Sequence, residues 1–174
     1  MWDNASWSGD AAGEIGFGFM DETNTCIYYD YWSPEERASH TLGEPYVGSH
    51  GKQSSTLQEA KCMVAAAMTW LHSGERTAGD IFCYKTDSKN CYFLARKMRS
   101  KVAAVDALWL KLAKEFDERN VFIHVIWHSR ESANAKLCDA LSRCIPVQDF
   151  VRLTGNLDVK RYPIQDSVRA LIRA

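Results

Sequence analysis

Apolar residues alternate with glycine early in the chain. Over residues 14–20, Ile15, Phe17 and Phe19 share one face of an extended segment, and Gly16 and Gly18 lie on the other. Asp21-Glu22-Thr23-Asn24 is turn material, and residues 25–32, with Cys26-Ile27-Tyr28-Tyr29, read as the returning strand of a hairpin. The stretch 33–54 is rich in Gly, Pro, Ser and His. Its length predicts a strand extension or an ordered loop in place of plain coil. Ser55-Thr56-Leu57-Gln58 fits a capping box that opens a helix. The apolar stripe of that helix runs Ala60, Met63, Val64, Ala67 and Leu71, and Gly74 ends it.

The second half of the chain alternates in type. Ile81-Phe82-Cys83-Tyr84 reads as a short buried strand, and Ser88 to Lys101 as a helix that ends in basic residues. Val105, Leu108, Trp109, Leu112 and Phe116, spaced by 3 and 4, predict another helix. Val121–Trp127 is a β-branched strand, and Ala133–Arg143 is a short helix with Leu137, Ala140 and Leu141 on one face. With one more strand near the start, the order is β-β-β-α-β-α-α-β-α. That order predicts an α/β fold with a five-stranded mixed sheet and helices on both faces. Residues 1–145 are expected to form this domain. Residues 146–174 read as a C-terminal extension with one terminal helix over Gln165–Arg173.

Composition narrows the function classes. The 174 residues are 46% hydrophobic and 25% charged, an ordinary globular balance that argues against disorder. No apolar run approaches the roughly 20 residues a membrane-spanning helix needs. The start is polar and acidic (Asp3, Asp10, Glu14) and lacks the pattern of a signal peptide, which predicts an intracellular protein, in cytoplasm or nucleus. The six cysteines form no Cys-x-x-Cys pair and read as reduced thiols. The net charge of −1 means that any nucleic-acid contact must come from a local basic patch.

The candidate chemistry lies in acids placed where strands end or helices pack. Asp87 directly follows the run 81–84 and precedes a helix, a position that points into the ligand crevice of an open α/β sheet. Glu59 stands at the edge of an apolar helical face, where a carboxylate needs a partner. Asp139 is flanked by Leu137, Cys138, Ala140 and Leu141, and Asp3 precedes the hairpin. Each alone reads equally as a cap or a solvated group.

Taken in order, four segments resemble the ribonuclease H family, particularly its retroelement and plant-type branch. Asp3-Asn4-Ala5-Ser6, followed by Gly16-Phe17-Gly18, is similar to the family's first acidic strand and glycine-bearing second strand. Gln58-Glu59-Ala60 with the run Met63–Ala67 resembles its Glu-presenting helix. Tyr84-Lys85-Thr86-Asp87-Ser88 resembles its Thr-Asp-Ser motif, and Asn134 through Asp139-Ala140-Leu141-Ser142-Arg143 its closing motif. The resemblance implies a ribonuclease H-like fold and metal-dependent hydrolysis of the RNA strand of RNA–DNA hybrids, as in the nuclease domain of a reverse transcriptase or a domesticated derivative. It also implies Asp3, Glu59, Asp87 and Asp139 as ligands of two Mg²⁺ ions, with Mn²⁺ as a substitute, and His128 as a proton-transfer or product-release residue.

Oxygen-only ligation suits Mg²⁺. Two such ions, roughly 3.5–4 Å apart, would activate a water and stabilise the leaving oxygen. Ser6, Ser88, Asn90 and Asn134 are short polar groups suited to the 2′-hydroxyls of a hybrid, and Arg96 and Lys97 to its phosphates. Two features depart from the family pattern. Asn134 stands five residues before Asp139 where the family has four, and no basic insertion separates the two central helices. They favour reliance on a neighbouring polymerase domain or another protein partner. They also favour the alternative reading, a non-catalytic domain of this fold that binds nucleic acid or protein.

Overall fold

The computed structural model describes residues 6–21, 26–41 and 52–173. Its strands are β1 (Ser6–Ala12), β2 (Gly16–Asp21), β3 (Cys26–Tyr31), β4 (Ile81–Thr86), β5 (Phe122–Trp127) and β6 (Lys160–Arg161). Its helices are α1 (Pro34–Thr41), α2 (Lys52–His72), α3 (Lys89–Lys97), α4 (Ala103–Glu118), α5 (Ala133–Ser142), α6 (Val147–Thr154) and α7 (Asp166–Arg173). The strands form one mixed sheet in the order β5-β4-β1-β2-β3-β6. The β1–β2 and β2–β3 pairs are antiparallel, and β1–β4, β4–β5 and β3–β6 are parallel.

The α/β class and the helices on both faces follow the sequence pattern, but the sheet has six described strands where five were expected. Lys160–Arg161 adds the sixth beside β3. Two residues are too few for periodicity to register. The first strand is Ser6–Ala12, Trp7 among mostly small residues, with no apolar–polar alternation. Nearly all of it is buried, as a central strand covered on both faces must be, and such a strand has no polar side to alternate with. Helix α2 begins at Lys52, so Ser55-Thr56-Leu57-Gln58 lies within the helix and does not cap it. Residues 34–41 of the expected loop form α1. Helix α3 ends at Lys97, because Met98 takes a left-handed backbone with φ of 60°.

The alternation in β2 decides how the layers pack. Phe17 and Phe19 are fully buried on the α2 side, in one core with Met63, Val64 and Ala67. Phe17 stacks on Trp32 at 4.6 Å and Phe19 on Tyr28 at 5.0 Å. The glycines face α5. A Cβ on Gly18 would lie 2.6 Å from the Leu141 Cβ and 2.8 Å from the Leu141 carbonyl carbon. Helix α5 therefore rests directly on the β2 backbone, which brings its polar face towards β1.

The segment after Pro146, expected as an extension, is built into both cores. Phe150 and Val159 pack with Met20, Ile27, Tyr29 and Leu141, while Val168 and Ile172 join the core around α2. Arg169 of α7 forms a buried, hydrogen-bonded ion pair with Glu36 of α1. Lys61 Nζ lies 3.8 Å and Arg173 Nε 3.6 Å from the same carboxylate. Lys61 also meets His40 Nε2 at 3.1 Å. Burial, reinforced by the Lys61 charge, lowers the His40 pKa to about 4. His40 is therefore neutral at ordinary pH.

Gly18→Ala should cost about 1–3 kcal/mol in urea denaturation, because the clash is with helix backbone that has no rotamer to change. Arg169→Ala should cost about 3 kcal/mol in the same assay, because it leaves Glu36 buried without its closest cation.

Candidate functional site

The carboxylate cluster begins with strand register. In the parallel β1–β4 pair, Ser6, Trp7 and Ser8 stand opposite Cys83, Tyr84 and Lys85. Continued by two residues, this register brings Asp10 level with Asp87 at the carboxyl end of β4, where an open α/β sheet presents its crevice. Glu59 reaches the same point from α2. Oxygens of Asp10, Glu59 and Asp87 all lie within 4.8 Å of one another, a set that could hold a metal ion.

Backbone contacts fix the three acids. Glu59 Oε1 accepts the Ala11 N–H at 3.3 Å. One turn further along α2, the Cys62 thiol donates to the carbonyls of Asp10 and Gly18 at 3.4 Å each and receives the Tyr84 hydroxyl at 3.7 Å. Asp87 sits between β4 and α3, whose N-terminus Ser88 caps by accepting the Cys91 N–H. The Asp87 carbonyl accepts Trp127 Nε1–H at 3.3 Å, and Arg130 Nε lies 3.5 Å from its carboxylate.

Asp10 and Glu59 are both buried, and among the described residues no N–H or hydroxyl donates to Glu59 Oε2. Burial pushes the Asp10 pKa up to about 6, a hydrogen bond with Glu59 partly offsets this, and the charges of Asp87 and Asp139 add to the rise. Glu59 is raised well above the ordinary range, first by burial and then by the Asp10 charge. Two ionised carboxyls offer each other only acceptors. A proton shared between them, or a cation, supplies what Glu59 Oε2 lacks.

A cleft of about 650 Å³ opens over these groups, with Asp139, Arg130, Lys136 and Arg143 also in its wall. Asp139 is half-exposed and lies 3.3 Å from Arg143 Nε. It lines the cleft but stands outside the close set of three. Of the four acids the sequence suggested, Glu59 and Asp87 thus meet, Asp139 borders them, and Asp3 lies outside the described residues. Asp10 supplies the β1 carboxylate. Its signal was an acid within the small-residue run Ser8-Gly9-Asp10-Ala11-Ala12, just before the Gly/Phe hairpin.

The other expected residues scatter. His128 follows β5. Its N–H donates to the Thr86 carbonyl at 2.9 Å, and its Nδ1 lies 3.4 Å from Ser132 Oγ, but the ring does not line the cleft. Ser6 is buried four positions before Asp10, roughly 13 Å back along the strand, too far to meet a ligand in the cleft. The Ser88 hydroxyl is used as the cap. Asn90 is exposed and donates to Thr56 Oγ1 at 2.9 Å, beside Ser55 of the cleft wall. Asn134 is half-buried in the first turn of α5. Arg96 and Lys97 lie on the exposed end of α3, outside the cleft wall.

No protein-family model matches the chain, and neither does any curated protein or solved structure.

The raised Asp10 pKa fixes a pH dependence. The native carboxyl takes up a proton at higher pH than its unfolded counterpart, so stability falls as pH rises from about 4 through about 6 and stays reduced above that window. Asp10→Asn should raise the melting temperature at pH 8 and leave it little changed at pH 4. Millimolar Mg²⁺ or Mn²⁺ at pH 8 should raise the melting temperature of the native chain but not of the Asp10→Asn variant, as read by calorimetry.

Proposed function

We propose that the chain is a ribonuclease H-like, metal-dependent nuclease that hydrolyses the RNA strand of RNA–DNA hybrids. The observation that carries this reading is the convergence of Asp10, Glu59 and Asp87 from a central strand, a covering helix and the carboxyl end of the neighbouring strand. The residues suit a hard divalent cation. All ligand atoms in the set are carboxylate oxygens, and among the described residues no N–H or hydroxyl donates to the buried Glu59 Oε2, which a cation could satisfy in place of a proton shared with Asp10. The resemblance drawn on the sequence is kept, with Asp10 in the place first given to Asp3. The order β5-β4-β1-β2-β3 around the acids is compatible with such a fold, and β6 is an addition at its edge.

Asp10, Glu59 and Asp87 would hold Mg²⁺ or Mn²⁺, and bound there the metal would activate a water and stabilise the leaving oxygen of the phosphodiester. The protein's own residues supply position and charge. Glu59 is held by the Ala11 N–H, and the thiol of Cys62 fixes the backbone that carries Asp10. Arg130, Lys136 and Arg143 at the wall offer cations to a phosphate backbone passing over the acids. Ser55 in the cleft wall, and Asn90 beside it through its hydrogen bond to Thr56, are polar side chains that could reach a 2′-hydroxyl.

The pairing of Asp87 with Arg130 and of Asp139 with Arg143 favours one rival, a domain that binds nucleic acid without cutting it. A labelled RNA–DNA hybrid separates the two. Cuts in the RNA strand should need Mg²⁺, vanish in EDTA, and fall on the order of 100-fold or more in Asp87→Asn. Binding without metal-dependent cuts would select the rival.

A further inference from the structure

We infer that the groove between α3 and the edge strand β5 is a docking site for an acidic peptide that binds in extended form as a seventh strand of the sheet. This groove is separate from the acid cleft and does not depend on the nuclease reading. Among the described residues β5 pairs with β4 alone, so its other side presents backbone groups with no strand partner. Its sequence, Phe-Ile-His-Val-Ile-Trp, has none of the guards usual on an exposed edge: no lysine, proline or carboxylate.

Beside it lies a groove of about 720 Å³. One wall is the β5 stretch 123–127, and the other is α3, through Ala95 and the longer side chains of Lys89, Tyr92, Phe93 and Arg96. Those four positions follow the i, i+3, i+4, i+7 spacing of a single helix face. A groove bounded by an edge strand and one face of a helix is the geometry that strand addition requires: main-chain hydrogen bonds give affinity and the helix face reads alternate side chains.

The lining selects the peptide's chemistry. Phe93 is 48% and Trp127 44% exposed, large apolar area for single surface residues. Lys89 lies over the Trp127 ring at 5.7 Å and Arg96 over Tyr92 at 5.5 Å, so the cations bracket the aromatic floor along the helix. Among the described residues no carboxylate lines the groove. The fitting occupant has apolar side chains at its centre and acids at its ends, on alternate positions. A second copy of this chain pairing through β5 would bring Lys89 and Arg96 against the same cations, which disfavours it.

The probe is a fluorescein-labelled heptapeptide, Glu-Thr-Val-Thr-Val-Thr-Glu, compared with its Lys-for-Glu counterpart and with labelled oligo(dT) of about twelve nucleotides. We expect the acidic peptide to bind at least tenfold more tightly than the lysine version. Phe93→Ser and Arg96→Glu, both at exposed positions, should each weaken it about tenfold while circular dichroism stays native. The outward-facing amides of Ile123, Val125 and Trp127 should gain hydrogen-exchange protection when the peptide is present, while those of Phe122, His124 and Ile126, which face β4, should not. Equal binding of the two peptides, or unchanged exchange in β5, would overturn the proposal. Oligo(dT) binding lost in the same variants, without peptide binding, would make this a nucleic-acid groove. Concentration-dependent dimerisation abolished by Phe93→Ser would instead identify a second copy as the occupant.

Discussion

Asp10 and Glu59 are buried side by side, and the architecture around them keeps them there. Two carboxyls out of water repel when ionised, so the pair is stable only with a proton or a cation between them. Neither acid is needed to form the sheet or fill the core. The fold nevertheless anchors Glu59 to the Ala11 amide, ties β1 to α2 through Cys62 and backs that thiol with the Tyr84 hydroxyl. A cluster that costs stability, held by contacts this specific and open to a cleft, is the usual mark of a functional site.

The buried charges at the other side of the core show the contrast. Glu36 is also deeply buried, yet it is met by Arg169, with Lys61 and Arg173 close by. Its charge is offset by cations from α2 and α7, although its Oε2, like that of Glu59, accepts no hydrogen bond among the described residues, and the network joins helices distant in sequence. Gln58 connects the two regions. Its amide meets His40 Nδ1 at 3.1 Å in this network and donates to the Gly13 carbonyl at 2.7 Å in the cleft wall, one residue before Glu59. The tail that carries Arg169 thus helps hold the helix that carries the buried acid.

The glycines of β2 set the remaining geometry. A side chain at Gly18 would collide with Leu141, so its absence lets α5 lie against the sheet, while one at Gly16 would meet the Asp30 carbonyl of β3 and the Cys144 thiol. That placement brings Asp139 and the cations of α5 to the edge of the cleft. Helix α5 packs over β1, β2 and β3.

Several features are determined by the sequence alone. The Ile15, Phe17 and Phe19 alternation, the stripe on α2 and the spacing in α4 each carry a period that only one element type satisfies, and burial of the apolar face follows locally. Glu59 and Asp87 were legible because each stands at a polar break in an apolar pattern. Asp10 was not. A central strand buried on both faces has no period, so its boundaries, and with them the recognition of Asp10, depend on pairing with β2 and β4. The two-residue strand β6, the ion pair of Arg169 with Glu36 and the separation of Asp139 from the close acids likewise join positions far apart in the chain. Such contacts are set by how layers dock, which depends on distances that no local pattern of residues encodes.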